Sequence, residues 1–214
     1  MIGPVMIGPS SSHTAGVVRI GRAALKLFGM APQEAEIIFY NSFARTYEGH
    51  GSDRAVIAGL LDFSTDDKRI KESVELAPVM GLRYTFRSVG NASTLHPNSV
   101  RIKLKRGDKE MEVLGESRGG GLINIAEVDG FKADFSASLH TLIIFADDVK
   151  GSIAFIASVL AHDACNIATM SVSRKARNDI ACQVIEMDSG IKPVTIEYLK
   201  SLSWVKEVIY VPQI

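Results

Sequence analysis

Beyond Leu139 the apolar residues switch period in an order that few folds can satisfy. LHTLIIFA reads as a strand, Lys150–His162 repeats apolar residues at helical spacing, and NIATMSVSRKA and IACQVIEMD are strand-like runs separated by Arg177-Asn178-Asp179. Val194–Leu202 is a second helical run and WVKEVIYV closes as a strand. A β-α-β-β-α-β order predicts a ferredoxin-like plait, with both helices burying their apolar stripes on one face of an antiparallel sheet. Residues 138–214 are therefore expected to form one domain and residues 1–137 another.

The N-terminal region follows a different pattern. TAGVVRIGRAALKLFGM (14–30) has helical spacing, with Gly29 as its stop. AEIIFYNSFA (35–44) is rich in aromatic and β-branched residues and reads as a strand. His50-Gly51-Ser52-Asp53 opens a second capped helix over Ala55–Phe63, and Asp66–Gly81 reads as a third helix, charged on one side. From Arg83 the chain turns to short alternating runs, RYTFRSV, SVRIKLKRG, EMEVLGES and LINIAEV, with Arg106-Gly107-Asp108 as a hairpin turn. The class expected is α+β, with an N-terminal mixed α/β domain built on an antiparallel sheet.

Four polar clusters interrupt these elements. In Gly8-Pro9-Ser10-Ser11-Ser12-His13-Thr14-Ala15-Gly16, four hydroxyls and an imidazole stand where a turn hands over to a helix. The first N–H groups of a helix lack intrahelical partners and carry the positive end of its dipole, so an anion is favoured there. One serine is explained by capping; four hydroxyls beside a histidine are not. Glu48-Gly49-His50-Gly51-Ser52-Asp53 repeats the theme before the second helix. Asn91-Ala92-Ser93-Thr94 with His96-Pro97-Asn98 forms a rigid loop before a strand, and Ser117-Arg118-Gly119-Gly120-Gly121 is a glycine-rich crossing between strands. Each histidine taken singly reads as an ordinary exposed loop residue. Three of the chain's five histidines sit in such loops, which favours a shared site.

Composition excludes several classes. Lys and Arg number 24, as do Asp and Glu, so no net field favours nucleic acid or an anionic membrane. No apolar stretch reaches the roughly 18–20 residues of a membrane span. No signal-peptide pattern opens the chain, and a cytoplasmic protein is expected. The two cysteines, Cys165 and Cys182, are too few for a four-thiolate metal site and read as small core residues. No lysine lies in a glycine- or serine-rich phosphate cup of the kind a pyridoxal-phosphate enzyme uses.

Three resemblances complete the reading. Asp147-Asp148-Val149-Lys150-Gly151-Ser152-Ile153 after the first strand of the plait, and Asn166-Ile167-Ala168 opening its second, resemble the ACT domain, a regulatory module. That likeness implies an effector site at Asp147, Asp148, Gly151, Asn166 and Ile167, and a homodimer through the same domain; Asp147–Gly151 reads equally as a plain strand-to-helix connection. SSSHTAG, GHGSD and HPN in this order, then a glycine triplet and the ACT-like module, resemble the β subunit of iron–sulfur-dependent L-serine dehydratase (L-serine ammonia-lyase). The N-terminal domain is also similar to the allosteric substrate-binding domain of some phosphoglycerate dehydrogenases.

The dehydratase resemblance implies α,β-elimination of L-serine to pyruvate and ammonia, with a [4Fe-4S] cluster held by a separate cysteine-rich α subunit and no metal held by this chain. It implies substrate contacts from Ser10, Ser11, Ser12, Thr14, Ser52, Asp53 and Asn98, and catalytic roles among His50, His13 and His96. His50 is preferred for proton transfer, because Asp53 and the flanking glycines would fix its tautomer and expose its ring. A non-catalytic serine-sensing module is the alternative. Departures from the family are Ser52 where threonine is usual and Arg118 where an apolar residue is usual. Family members also carry a segment before the Ile-Gly-Pro run, so the chain is expected to begin late.

Overall fold

A computed structural model describes residues 10–90, 94–177 and 179–214. Gly8-Pro9, Asn91-Ala92-Ser93 and Asn178, named above in candidate turns and loops, lie outside the described residues. The chain divides into two compact units, 1–130 and 131–214, so the second unit begins seven residues before the expected boundary.

The first unit opens with α1 (Ala15–Phe28), which ends on Gly29 in the left-handed conformation (φ +76°) as the stop signal predicted. Strand β1 (Glu34–Tyr40) follows, then two helices, α2 (Asn41–Thr46) and α3 (Ser52–Leu60). Here the sequence expectation is corrected: Asn41-Ser42-Phe43-Ala44 is helical. Asn41 has a φ of +50° and its amide donates to Leu95 O at 3.0 Å, so the chain leaves the strand there. The Ser42 and Phe43 N–H groups then donate to Pro97 O, which occupies the start of α2. Tertiary partners override the local β-preference.

The expected third helix is a 3-10 turn over Lys68–Glu72 running into α4 (Ser73–Val79). Strands β2 (Arg83–Val89), β3 (Ser99–Arg106), β4 (Lys109–Gly119) and β5 (Leu122–Val128) match the four alternating runs. Within the unit their order is β2-β1-β3-β4-β5. The β1–β2 pair is parallel and the others antiparallel, so the sheet is mixed rather than wholly antiparallel. The intervening α2, α3 and α4 supply the long crossover that a parallel pair requires.

One face of this sheet is apolar and holds α1. Gly115 is the reason α1 lies so close to β4: a Cβ there would stand 2.3 Å from Ile20 Cγ2. Gly16 permits the same close approach nearer the start of α1, where a Cβ would stand 2.2 Å from Ser117 Oγ. The opposite face is an ion-pair lattice in which Glu36 meets Arg87 and Lys103, and Arg101 meets Glu112 and Glu127. Exposed pairs of this kind add little stability each, but they keep the face wet and fix which side is core.

The second unit opens with a strand that the sequence pattern did not predict, β6 (Phe131–Phe135). Then come β7 (His140–Asp147), α5 (Ser152–His162), β8 (Ile167–Arg174), β9 (Ile180–Met187), α6 (Pro193–Lys200) and β10 (Val205–Val211). The four strands from β7 onward lie in the order β10-β7-β9-β8, all antiparallel, which is the ferredoxin-like arrangement expected. Leu142, Ile144 and Ala146 of β7, with Ile185 and Met187 of β9, meet Ile156 and Leu160 of α5 and Leu199 of α6 in one core. Cys165 and Cys182 are both buried, as core residues should be. The Phe131–Ala137 segment is tied to this sheet: Glu186 accepts from Ser136 N and Oγ and from Thr169 Oγ1.

Candidate active site

The first unit brings three of its polar loops together around one serine. Ser117, fully buried on β4, donates its hydroxyl to Ser12 O at 2.8 Å and its backbone N–H to Asn98 O at 2.9 Å. The triple-serine turn and the His96 loop are thereby fastened to the same strand. Ser52, also fully buried, donates to His13 O at 3.0 Å and so fastens the turn to the start of α3. Its hydroxyl is committed to that backbone anchor, a different task from the substrate contact the resemblance implied. Ser117→Ala is expected to cost about 1–2 kcal/mol, since Ser12 O would lose its partner. Urea unfolding of the purified chain measures this.

Within the turn, Thr14 caps α1 without a side-chain cap bond, and its buried Oγ1 has no hydrogen-bond partner among the described residues. Ser10 and Ser12 place their hydroxyls 3.1 and 3.0 Å from His13 Nδ1, and 3.2 Å from each other. Ser11 is partly buried and its carbonyl accepts from Gly16 N. The His13 ring stands between Phe43 (centroids 5.1 Å, 64°) and His50 (4.7 Å, 79°), both edge to face. Burial lowers the His13 pKa below the ordinary 6.5 and the neighbouring His50 lowers it further, so the ring is neutral at neutral pH.

His50 is exposed and makes no side-chain hydrogen bond among the described residues; its backbone N–H donates to Thr46 O. No hydrogen bond joins it to Asp53 among those residues, so Asp53 does not set its tautomer as the sequence suggested. Asp53 instead lies in the first turn of α3 with Oδ1 buried and without a hydrogen-bond partner among the described residues. Burial raises its pKa above the ordinary 3.8, opposed by the Arg54 N–H. The folded chain therefore holds this proton more tightly than the unfolded chain, and the contribution of Asp53 to stability falls as pH rises above 3.8. Asp53→Asn is expected to raise the Tm at about pH 7 and to lose that advantage near about pH 4. Calorimetry at the two pH values tests the sign.

His96 is partly buried, and its Nδ1 accepts from Asn98 N at 3.2 Å, which leaves the Nε2 side as donor in the neutral ring. Burial and the nearby Arg118 lower its pKa. Arg118 pairs with Glu116, which also accepts from Asn124. The glycine triplet beyond it, with φ of +88°, +61° and +80°, is tied to α1 by Arg19, which donates to Gly121 O at 2.6 Å. The structure thus brings Ser10, Ser12, His13 and His50 into contact and places His96 and Asn98 on the adjoining loop.

Thr46 is a member of this cluster that the sequence did not reveal. Its hydroxyl lies 3.2 Å from His13 Nε2 and 2.9 Å from Ser42 O. No local signal marked it, since its partner His13 lies 33 residues away in sequence.

In the second unit the expected effector residues are largely engaged with neighbouring side chains. Asp147 pairs with Lys206 at 2.8 Å, Asp148 with Arg174 at 2.5 Å, and Asn166 donates to Asp188. Gly151 precedes α5 with a φ of +86°, and Ile167 opens β8. Gln183, which no sequence motif marks, is buried on β9 with Nε2 3.5 Å from Ser152 Oγ and Oε1 without a partner. No helix among the described residues is long and apolar enough to cross a membrane.

A mixed α/β unit with hydroxyls and histidines gathered at a helix start, followed by a ferredoxin-like unit, defines an α+β protein with a polar cluster at the start of its first helix. A profile of the serine dehydratase beta chain matches residues 2–77. The probable L-serine dehydratase beta chain of Bacillus subtilis (strain 168) is 45% identical over 202 residues, covering 94% of this chain and 91% of that one. The L-serine dehydratase beta chain of Peptoniphilus asaccharolyticus is 37% identical, covering 94% and 89%. The solved ACT domain from the GTP pyrophosphokinase of Chlorobium tepidum is 19% identical, with a TM-score of 0.28 over 34% of this chain and 95% of that one. The chain belongs to the L-serine dehydratase β-chain family.

Proposed function

We propose that this chain is one subunit of a two-subunit L-serine ammonia-lyase, lining the substrate side of a site whose iron–sulfur cluster belongs to an α subunit. The observation that carries this reading is the contact between the Ser10-Ser12-His13 cluster and His50 at the start of α1. Deamination of serine by elimination removes the α proton and expels the β hydroxyl, a leaving group that calls for a Lewis acid. This chain's residues do not fit a cluster: its two cysteines are buried in the second unit, and the described residues contain no group of three metal-ligating side chains. The cluster is therefore assigned to the partner.

The chain's own residues have separable tasks. The serine hydroxyls and the positive end of α1 receive the substrate carboxylate. His13, held neutral, orders those hydroxyls. His50, exposed beside it, is the proton-transfer group, and His96 with Asn98 forms the adjoining wall. Asp147, Asp148, Gly151, Asn166 and Ile167 form the effector region of the ACT-type unit, which pairs with a second copy of the chain.

Anaerobic reconstitution tests the reading. The chain is combined with an α chain, the cluster is rebuilt, and pyruvate formation from L-serine is followed. Turnover that requires both chains supports it. Full turnover from the α chain alone, with this chain altering only the serine dependence, would make it a serine sensor and retire the catalytic assignments.

A further inference from the structure

We propose that Thr46 is a positioning residue that fixes the tautomer of His13, keeping the ring proton on Nε2 and handing the Nδ1 lone pair to the hydroxyls of Ser10 and Ser12. The catalytic meaning of this rests on the function proposed above; the tautomer itself does not.

A threonine hydroxyl has one hydrogen to donate and lone pairs to accept with. Thr46 Oγ1 lies 2.9 Å from Ser42 O, one turn back in α2, and a carbonyl oxygen can only accept. That hydrogen is committed to Ser42. Toward His13 Nε2, 3.2 Å away, Oγ1 then presents lone pairs, so Nε2 must be the donor. A neutral imidazole has a single N–H, so Nδ1 is a bare acceptor. It faces Ser12 Oγ at 3.0 Å and Ser10 Oγ at 3.1 Å. Only one of the two hydroxyls can donate into that lone pair; the other, 3.2 Å from the first, is available to extend the chain or to meet a ligand.

The element that carries Thr46 is itself held. The N–H groups of Ser42 and Phe43 donate to Pro97 O, and Phe43 packs its ring against His13. The hydroxyl therefore meets the ring from a helix pinned to the His96 loop. When an anion draws the serine hydrogens to itself, Nδ1 is left as an acceptor that favours a donor on the incoming molecule, such as the ammonium or hydroxyl of an amino acid. With the opposite tautomer the same nitrogen would repel that donor.

The experiment uses the full chain labelled with 15N-histidine, with two-bond 1H–15N correlations reading each ring's tautomer and His13→Gln assigning the signal. The expected result is a single Nε2–H tautomer for His13 in the unsubstituted chain and in Thr46→Ser. In Thr46→Val, which keeps the shape and loses the oxygen, that preference is expected to disappear. An Nδ1–H tautomer in the unsubstituted chain overturns the proposal with no variant needed, and an unchanged His13 spectrum in Thr46→Val overturns it as well. In the assembled lyase Thr46→Val is expected to lower kcat by about 10-fold, less than removal of an acid–base histidine, with Thr46→Ser restoring it. A tautomer that follows Thr46 while turnover stays constant upholds the positioning and removes His13 from catalysis.

Discussion

Replacing His50 with alanine is expected to lower kcat of the assembled lyase by about 10²- to 10⁴-fold, the range associated with loss of a positioned acid–base group. The same change should leave the unfolding of the isolated chain almost untouched. His50 is exposed and makes no side-chain hydrogen bond among the described residues, so its removal opens no cavity and leaves no buried group unpaired. The paired measurement is steady-state pyruvate formation and thermal unfolding. His96→Asn is the comparison, since an asparagine Oδ1 can still accept the Asn98 N–H that His96 Nδ1 accepts, so the HPN turn keeps its bond while the ring is lost. A His50→Ala enzyme within a few-fold of normal would transfer the proton-transfer role away from this residue.

Gly59→Val is expected to destabilise the first unit by about 3 kcal/mol, at the upper end for overpacking a close contact. The helices α1 and α3 cross at Gly21 and Gly59. A Cβ on Gly59 would stand 2.2 Å from Val18 O and 2.8 Å from Arg22 N, both backbone atoms that no side-chain rotation can move aside. The helices must separate. They carry the two halves of the candidate site at their starts, Ser10–Thr14 before α1 and His50–Ser52 before α3, and Ser52 reaches across to His13 O. Loss of stability should therefore be accompanied by loss of turnover even under conditions where the chain remains folded. Urea unfolding with and without the substitution checks the stability, and turnover at low temperature checks the site. An unchanged unfolding midpoint would contradict the crossing geometry.

Much of the fold was legible because its signals are local. The plait from β7 to β10 follows from changes of period in the sequence, and α1 ends where Gly29 allows a left-handed residue. The expected hairpin turn at Gly107 joins β3 and β4, with Arg106 opposite Lys109. The misreadings share one cause, which is competition from partners distant in sequence. Asn41–Ala44 looks like the end of a strand until Pro97 O meets the N–H groups of Ser42 and Phe43. The five residues of β6 are too few for a periodic signal, and they follow Asp129 and Gly130, both at positive φ, as a short return.

The candidate site divides along the same line. Which residue types gather in the candidate site was readable from the chain alone, because hydroxyls, imidazoles and glycines clustered before apolar helical runs have no purely local explanation. Which partner each group has was not. Ser52 looked like a ligand contact and is a buried anchor; Asp53 looked like the orienting group of His50 and keeps Oδ1 without a partner among the described residues; Thr46 belonged to no motif and touches His13.

The amino-acid order by itself determined the two-unit α+β architecture, the resemblance to a dehydratase β chain and the three polar loops of the candidate site. Periodicity, capping and turn chemistry act over a few residues and survive in one dimension. Only the tertiary structure decided that Ser117 holds two of those loops to one strand, that the rings of His13 and His50 meet, and that α1 and α3 approach through Gly21 and Gly59. The ring contact joins residues 37 positions apart and the Ser117 bond to Ser12 spans 105. A hydrogen bond is directional and saturable, so its partner is settled by where the folded backbone puts donor and acceptor, not by the residue types alone.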